Sequence, residues 1–246
     1  MFDITTAATI RPDILEITLK SFRQHLFGQS QDYRLIINID PIGATEDFNQ
    51  EDVEYVARQH FDNVLINKPE KANFNKAMMW VWSQVKSEFF FNLEDDWKLL
   101  AKLDFSYMLK VMQDYKKLAG LTIAKGHSDT KYAQFSHSHK RPLGVWNGAY
   151  YEISWLRYRG MPSLWRKTFI DGFREYMTPD INHECLERKL FKKNAPCIMN
   201  WNYGGYTGFN IPHSLIYNTG KGWRKKHAFE KQNIGRNIGW KWSEKK

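Results

Sequence analysis

Short apolar runs alternate with amphipathic stretches through the first half of the chain, which predicts an α/β protein with a mostly parallel sheet flanked by helices. Thr5 to Thr9 reads as a first strand. Pro12 then opens a helix, as proline does at a first helical turn, with Ile14, Leu15, Leu19, Phe22 and Leu26 on one face. Arg34 to Ile39 is a buried-type strand that ends at Asp40-Pro41 and Gly43, a turn signal. A charged helix over about 47–59 leads to a strand Val64-Leu65-Ile66, and a helix over about 72–86 carries Phe74, Ala77, Met78, Val81, Trp82 and Val85 on one stripe. The strand Glu88 to Leu93 then runs into Glu94-Asp95-Asp96-Trp97. In open α/β sheets ligands sit outside the carboxyl ends of the strands, so Asp40 and the acidic triplet are both delivered to the expected mouth.

A helix over about 103–118 and a strand Gly120 to Ala124 follow, and there the alternation fades. Residues 125–144 are polar and histidine-bearing and read as a long loop, a length typical of lids and binding segments. Beyond it the pattern predicts a mixed region from Trp165, a helical stretch near 182–190, and a strand Cys197 to Trp201. The tail after Gly220 interleaves basic and aromatic residues without a clear period.

At 246 residues the chain is long enough for one large domain with a sizeable core. Aromatic residues make up 15% of it, with 10 Trp and 12 Tyr, which suits either an aromatic-rich core or stacking on a sugar ring or base. No basic segment followed by an apolar one opens the chain, and no apolar run is long enough to span a bilayer, so neither a signal peptide nor a transmembrane segment is expected. The two cysteines, Cys185 and Cys197, lack metal-ligand spacing and read as reduced core thiols of a cytoplasmic protein.

Charge changes the picture more. Residues 1–124 carry 14 Lys+Arg against 18 Asp+Glu, whereas residues 125–246 carry 22 against 9, a net +13. Such polarity suits a polyanionic partner, double-stranded DNA or an anionic membrane surface, although a solvated basic face has the same composition.

Three adjacent carboxylates after a buried strand raise one another's pKa unless a cation neutralises them. Oxygen ligands select a hard divalent ion, Mg²⁺ or Mn²⁺, which would suit a nucleoside diphosphate leaving group. A helix cap or solvated turn is the plainer explanation of an isolated triplet.

The surrounding order adds context. A strand, Arg11-Pro12, a helix with Thr18-Leu19-Lys20-Ser21-Phe22, a strand ending in Asp40, a helix entered through Asn73-Phe74-Asn75-Lys76-Ala77, then Phe89-Phe90-Phe91-Asn92-Leu93-Glu94-Asp95-Asp96 resembles family-2-like glycosyltransferases of the GT-A type. The likeness covers roughly residues 4–100. It implies a GT-A-like, Rossmann-like single compact domain, with residues 1–124 binding the nucleotide-sugar and residues 125–246 forming a basic, aromatic-rich acceptor half. It further implies Thr9, Arg11, Asp40, Asn75, Lys76, Glu94 and Asp95 beside the donor, with Asp96 and Glu94 as metal ligands. Glu94 departs from the usual first Asp of the motif, and Ile10 stands where Asn is common.

In inverting members of such enzymes the second half supplies a carboxylate base, here Asp180 with Glu184 in reserve, although an N-cap Asp180 and a solvated Glu184 fit the residues as well, and a retaining enzyme needs no such base. His213, or else His227, is the late histidine that would complete a metal site, against a structural role for each. The stretch Gly220 to Lys226, with Arg224, suits a diphosphate; it reads equally as a plain basic tail. The function implied is a hexosyl- or pentosyltransferase using a nucleotide-sugar and Mn²⁺ or Mg²⁺. A weaker likeness to phage-type transferases suggests a hydroxymethylated pyrimidine in DNA as acceptor, extracted from the stack by Trp146, Tyr150, Tyr151 and Trp155. A cell-surface glycan or lipid-linked acceptor is the rival, and a metal-dependent nuclease or a non-catalytic nucleic-acid-binding protein stands outside the class.

Overall fold

The computed structural model describes residues 1–28, 32–43, 47–114, 116, 118–123, 142–146, 149–154, 162–175, 177–179, 197–202, 215–227, 229–234 and 237–242. Asp180, Glu184, His213, Trp155, Cys185, the stretch 182–190 and residues 125–141 of the expected loop lie outside the described residues, and residues 142–144 of that loop belong to a strand.

Nine strands among the described residues form one mixed sheet in the order β3-β2-β1-β4-β9-β6-β10-β8-β7. They are β1 (Phe2–Ala8), β2 (Tyr33–Ile39), β3 (Asn63–Asn67), β4 (Phe89–Asn92), β6 (Leu118–Ile123), β7 (Pro142–Trp146), β8 (Ala149–Ser154), β9 (Ser163–Arg166) and β10 (Cys197–Asn202). The first four run parallel. β9 is antiparallel to both its neighbours, β4 and β6, and β10 is parallel to β6. Short ribbons pair β5 (Trp97–Leu99) with β11 (Ile216–Asn218), and β12 (Phe229–Ile234) with β13 (Asn237–Trp242). The tail that showed no period in the sequence is thus a helix followed by a hairpin.

Side-chain alternation along the strands explains the two layers of helices. Leu35, Ile37, Phe89, Phe91 and Leu121 face one side, where they meet α1 (Pro12–Phe22), α2 (Gln50–His60) and α4 (Phe105–Asp114) through Leu15, Leu19, Val53, Ala57, Met108 and Val111. Ile36, Phe90 and Trp165 face the other, against α3 (Phe74–Ser83) and α5 (Lys167–Arg174) through Met78, Val81, Trp82 and Ile170. Many of the aromatics are core: Phe22, Phe27, Tyr33, Phe91 and Phe105 form one cluster with ring centroids 5.2–6.3 Å apart. Gly120 on β6 admits the Trp165 indole, because a Cβ there would lie 2.6 Å from it.

α1 begins at Pro12 and continues as a π-turn over Arg23–Phe27. α2 is framed by a capping box between Asn49 and Asp52, which sets its start slightly later than the charged run suggests. A buried ion pair ties the amino edge of the sheet together. Arg34 Nη2 lies 2.8 Å from Asp3 Oδ1, and Asp3 Oδ2 accepts from the backbone N–H of Lys86 and of Ser87.

Candidate functional site

Parallel strands β1, β2 and β4 bring Thr9, Asp40 and the acidic triplet to one carboxyl edge, the place the sequence pattern assigned to Asp40 and the triplet. The three carboxylates then diverge.

Asp95 points inward and is 6% exposed. Its Oδ2 accepts from the Thr9 backbone N–H at 3.0 Å and the Thr9 hydroxyl at 3.1 Å, while Arg11 Nη2 donates to Oδ1 at 2.7 Å. Arg11 sits at the N-cap position of α1, makes no capping bond, and also donates through Nε to Thr9 Oγ1. The buried counterion of Asp95 is therefore a guanidinium. α1 positions the turn from below, with the Thr18 hydroxyl donating to the Asp95 carbonyl at 2.8 Å and Ser21 Oγ accepting the Leu99 N–H.

Asp96 faces the C-terminal segment. β11 pairs with β5 so that Asn218 lies opposite Trp97, and Asn218 Nδ2 donates to Asp96 Oδ1 at 3.0 Å. The Thr219 N–H donates to the Asp96 carbonyl. The next helix, α6 (Gly220–Lys226), starts directly against the carboxylate, and a Cβ on Gly220 would fall 2.0 Å from Asp96 Oδ2. Arg11 Nη1 and Arg224 Nη1 each lie 3.7 Å from that same oxygen. Trp223 on α6 covers Arg11, with the guanidinium 5.6 Å from the ring centroid, and packs beside Ile14. Burial, then the charge of Asp95, pushes the Asp96 carboxyl up to about 6 against the pull of Arg11, Arg224 and Asn218.

Glu94 is half-buried, and its carboxylate accepts from the Trp97 indole N–H. Burial first and the charge of Asp96 second push it up to about 8. Asp40 is buried as well; desolvation raises its pKa, and hydrogen bonds from the Asn38 amide and the Asn73 backbone N–H partly offset that. Asn67 in turn donates to Asn38 at 2.6 Å, so Asp40 ends a polar chain across β3 and β2.

The Asn75 amide donates to the Thr178 carbonyl at 2.9 Å, which ties the start of α3 to the segment after α5. Lys76 is exposed at the same helix end. His227 stacks on Trp223 with centroids 4.2 Å apart, and its Nδ1 lies 2.9 Å from the Trp223 carbonyl oxygen. Trp146, Tyr150 and Tyr151 lie on β7 and β8 at the far end of the sheet order from β3.

The sequence reading did not single out Asn218, and it took Gly220 to Lys226, Trp223 included, as a stretch suited to a diphosphate or as a plain basic tail, not as the cover of Asp96 and Arg11. Gly220-Lys221-Gly222 ahead of an aromatic was the available signal, whereas Asn218 carries none until β11 is seen beside β5. Among the described residues no group of three or more His, Cys, Asp or Glu side chains converges as a metal cluster.

No family model matches the sequence, and no curated protein matches it. Its fold is similar to that of Staphylococcus aureus TarS residues 1–349, at a TM-score of 0.53 and 15% identity over 81% of this chain and 58% of that one. The same TarS fragment has been solved with UDP and with UDP-GlcNAc. A second likeness is to the mannosyltransferase PcManGT of Pyrobaculum calidifontis, solved with GDP-Man and Mn²⁺, at a TM-score of 0.53, 10% identity, and coverage of 74% of this chain and 49% of that one. HddC of Yersinia pseudotuberculosis, complexed with GMP-PN, is matched over 89% of this chain and 94% of its own length at a TM-score of 0.51 and 10% identity. The chain thus spans little more than half of the TarS fragment and about half of PcManGT. Topology and likeness together identify a GT-A-type fold, a mostly parallel mixed sheet with its acidic turn at the carboxyl edge.

Proposed function

We propose that this protein is a metal-dependent glycosyltransferase, moving a sugar from a nucleotide-sugar donor to a hydroxyl acceptor. The observation that carries the reading is the convergence on one sheet edge of Asp40, Asp96, Arg11 and Arg224, two carboxylates and two guanidiniums from four separate segments. It matters because fold likeness alone does not assign chemistry.

In this reading Asp40 receives the nucleoside part, with Thr9 and Lys76 as further donor contacts, and Arg224 meets the diphosphate as a charge-assisted donor. Glu94 and Asp96 supply the carboxylate oxygens a hard divalent ion takes, Asp96 exchanging its contacts with Asn218 and Arg224 for the ion, and Mg²⁺ or Mn²⁺ would complete its shell with phosphate oxygens and water, as it does where a protein offers one or two carboxylates. Bound there, the ion would offset charge on the departing diphosphate. Asp95 stands behind them as the residue that keeps Arg11 in place. Asp180, with Glu184 in reserve, takes the proton of the acceptor hydroxyl as its oxygen bonds to the anomeric carbon and the bond to the diphosphate breaks. His213 is proposed as a further ligand.

The net +13 of residues 125–246 supports an anionic acceptor, and hydroxymethylated DNA is the one to test first. The purified protein is incubated with Mn²⁺ and a panel of UDP- and GDP-sugars, with and without hydroxymethylcytosine-containing DNA. Nucleoside diphosphate release that needs the DNA, with a matching gain in DNA mass, supports both parts. Release indifferent to DNA keeps the transferase and moves the acceptor to a glycan or lipid-linked class. Cut DNA without release from any donor favours a nuclease. Asp96→Ala retaining full metal-dependent release sinks the site assignment.

A further inference from the structure

Asn73 touches three parts of the molecule at once. Its backbone N–H donates to the Asp40 carboxylate. Its side-chain oxygen caps α3 by accepting the Lys76 N–H at 3.0 Å. Its side-chain amide donates to the Pro179 carbonyl at 3.2 Å, and two residues on, the Asn75 amide donates to the Thr178 carbonyl at 2.9 Å.

A helix start needs one capping acceptor, and Asn73 Oδ1 supplies it. The two amide donors are not required by α3 itself. They bind consecutive carbonyls of a segment more than a hundred residues away in sequence, one that is neither helix nor strand. Two successive peptide groups held by two side chains from one helical turn set the orientation of the backbone as well as its position. Met177 adds an apolar contact to the same helix, lying in one buried cluster with Met78, Val81 and Trp82 of α3. The chain leaves this clasp at Pro179, directly before Asp180.

We propose that Asn73 and Asn75 are positioning residues that clasp Met177–Pro179 to the donor edge, so that the chain entering the acceptor side starts from a point fixed against Asp40. The inference rests on the donor-site reading above. Its consequence is a division of labour. The clasp governs how well a bound donor is used, while Asp40 and its neighbours govern how well it binds.

Asn73→Asp isolates the clasp. Aspartate caps a helix as well as asparagine does and keeps the backbone N–H, but it has no amide to donate and sets a carboxylate against the Pro179 carbonyl. Asn75→Asp does the same at Thr178. The first readout is hydrogen exchange of the protein without nucleotide. The Met177 N–H, bonded to the Arg174 carbonyl, is expected to exchange about tenfold faster or more in either variant, with β1 and β2 peptides at wild-type rates. The second is turnover of UDP-GlcNAc and GDP-mannose with Mn²⁺, followed as nucleoside diphosphate release. There kcat is expected to fall about tenfold while KM stays within about threefold. Wild-type exchange at Met177 in both variants would overturn the clasp, as would a raised KM at unchanged kcat, which would make Asn73 a donor-binding group. If the wild-type protein turns over neither donor and binds neither UDP nor GDP, the donor reading fails, and the exchange measurement alone still decides the clasp.

Discussion

Gly220 sits where a methyl group has no room. A Cβ there would lie 2.0 Å from Asp96 Oδ2 and 2.9 Å from Arg11 Nη1, and Asp96 is held on its other oxygen by Asn218. Gly220→Ala must therefore displace the carboxylate or α6. Nucleotide-sugar turnover is expected to drop about 100-fold, the scale of a misplacement near 1 Å in an active site. Global stability should change by no more than about 1–3 kcal/mol, the usual cost of overpacking, and thermal unfolding beside a turnover assay separates the two. Asp3 lies at the opposite edge and behaves differently. Burial alone would raise its pKa, but the Arg34 guanidinium and the Ser87 and Lys86 amides more than offset that and hold it below the usual value. A lowered folded pKa means stability that is present above the unfolded pKa and lost as the pH falls through the folded one. Asp3→Asn is expected to cost about 3–5 kcal/mol at neutral pH by stranding Arg34. The gap between wild-type and variant urea midpoints should narrow below about pH 4, where the unfolded carboxyl protonates, and a constant gap would contradict the assignment.

Helices and strands with a single dominant period were legible before the fold was known. β2 reads as an apolar run from Leu35 to Ile39, interrupted only by Asn38, because both its faces are covered, and α3 shows its stripe because one face meets β1 and β2. Pairings between distant segments were not. Asn218 is 122 residues from Asp96 and Pro179 is 106 from Asn73, and a lone asparagine carries no periodicity that could announce either partner. The placement of Asp40 and Asp96 at the carboxyl edge was legible because each follows an apolar strand, whereas the role of Arg11 as counterion to Asp95 depends on a turn only the folded chain reveals. The packing of β6 on β9 rests on an equally local detail. Gly120→Ala would push a methyl group to 2.6 Å from the Trp165 indole and 2.8 Å from the Leu164 carbonyl, backbone that cannot easily yield. A loss of about 1–3 kcal/mol in urea unfolding is expected. Asn49→Ala, which removes the exposed capping box of α2, should cost about 1 kcal/mol in urea unfolding.

At the scale of the whole molecule, the acidic first half and basic second half are not separable bodies. β9 belongs to the later sequence, yet it fills the gap between β4 and β6, and residues 215–227 return to lie against Asp96. A fragment of residues 1–124 is therefore expected to fail as a folded unit. It would expose the β4 edge and remove Trp165 from between Val81, Phe90 and Ala119. A soluble fragment with a sharp unfolding transition would contradict this. The placement of β9 also matters while the protein is being made. Between Asn92, which ends β4, and Ser163, which begins β9, the ribosome must add 70 residues, roughly 4–14 s at about 5–20 residues per second. For that interval the nascent chain carries Phe89-Phe90-Phe91 on a strand lacking its later neighbour, a segment suited to pairing with another copy. Slow elongation should thus worsen yield unless a chaperone shelters this edge, and aggregates of the nascent protein should carry the Phe89–Asn92 strand at their contacts.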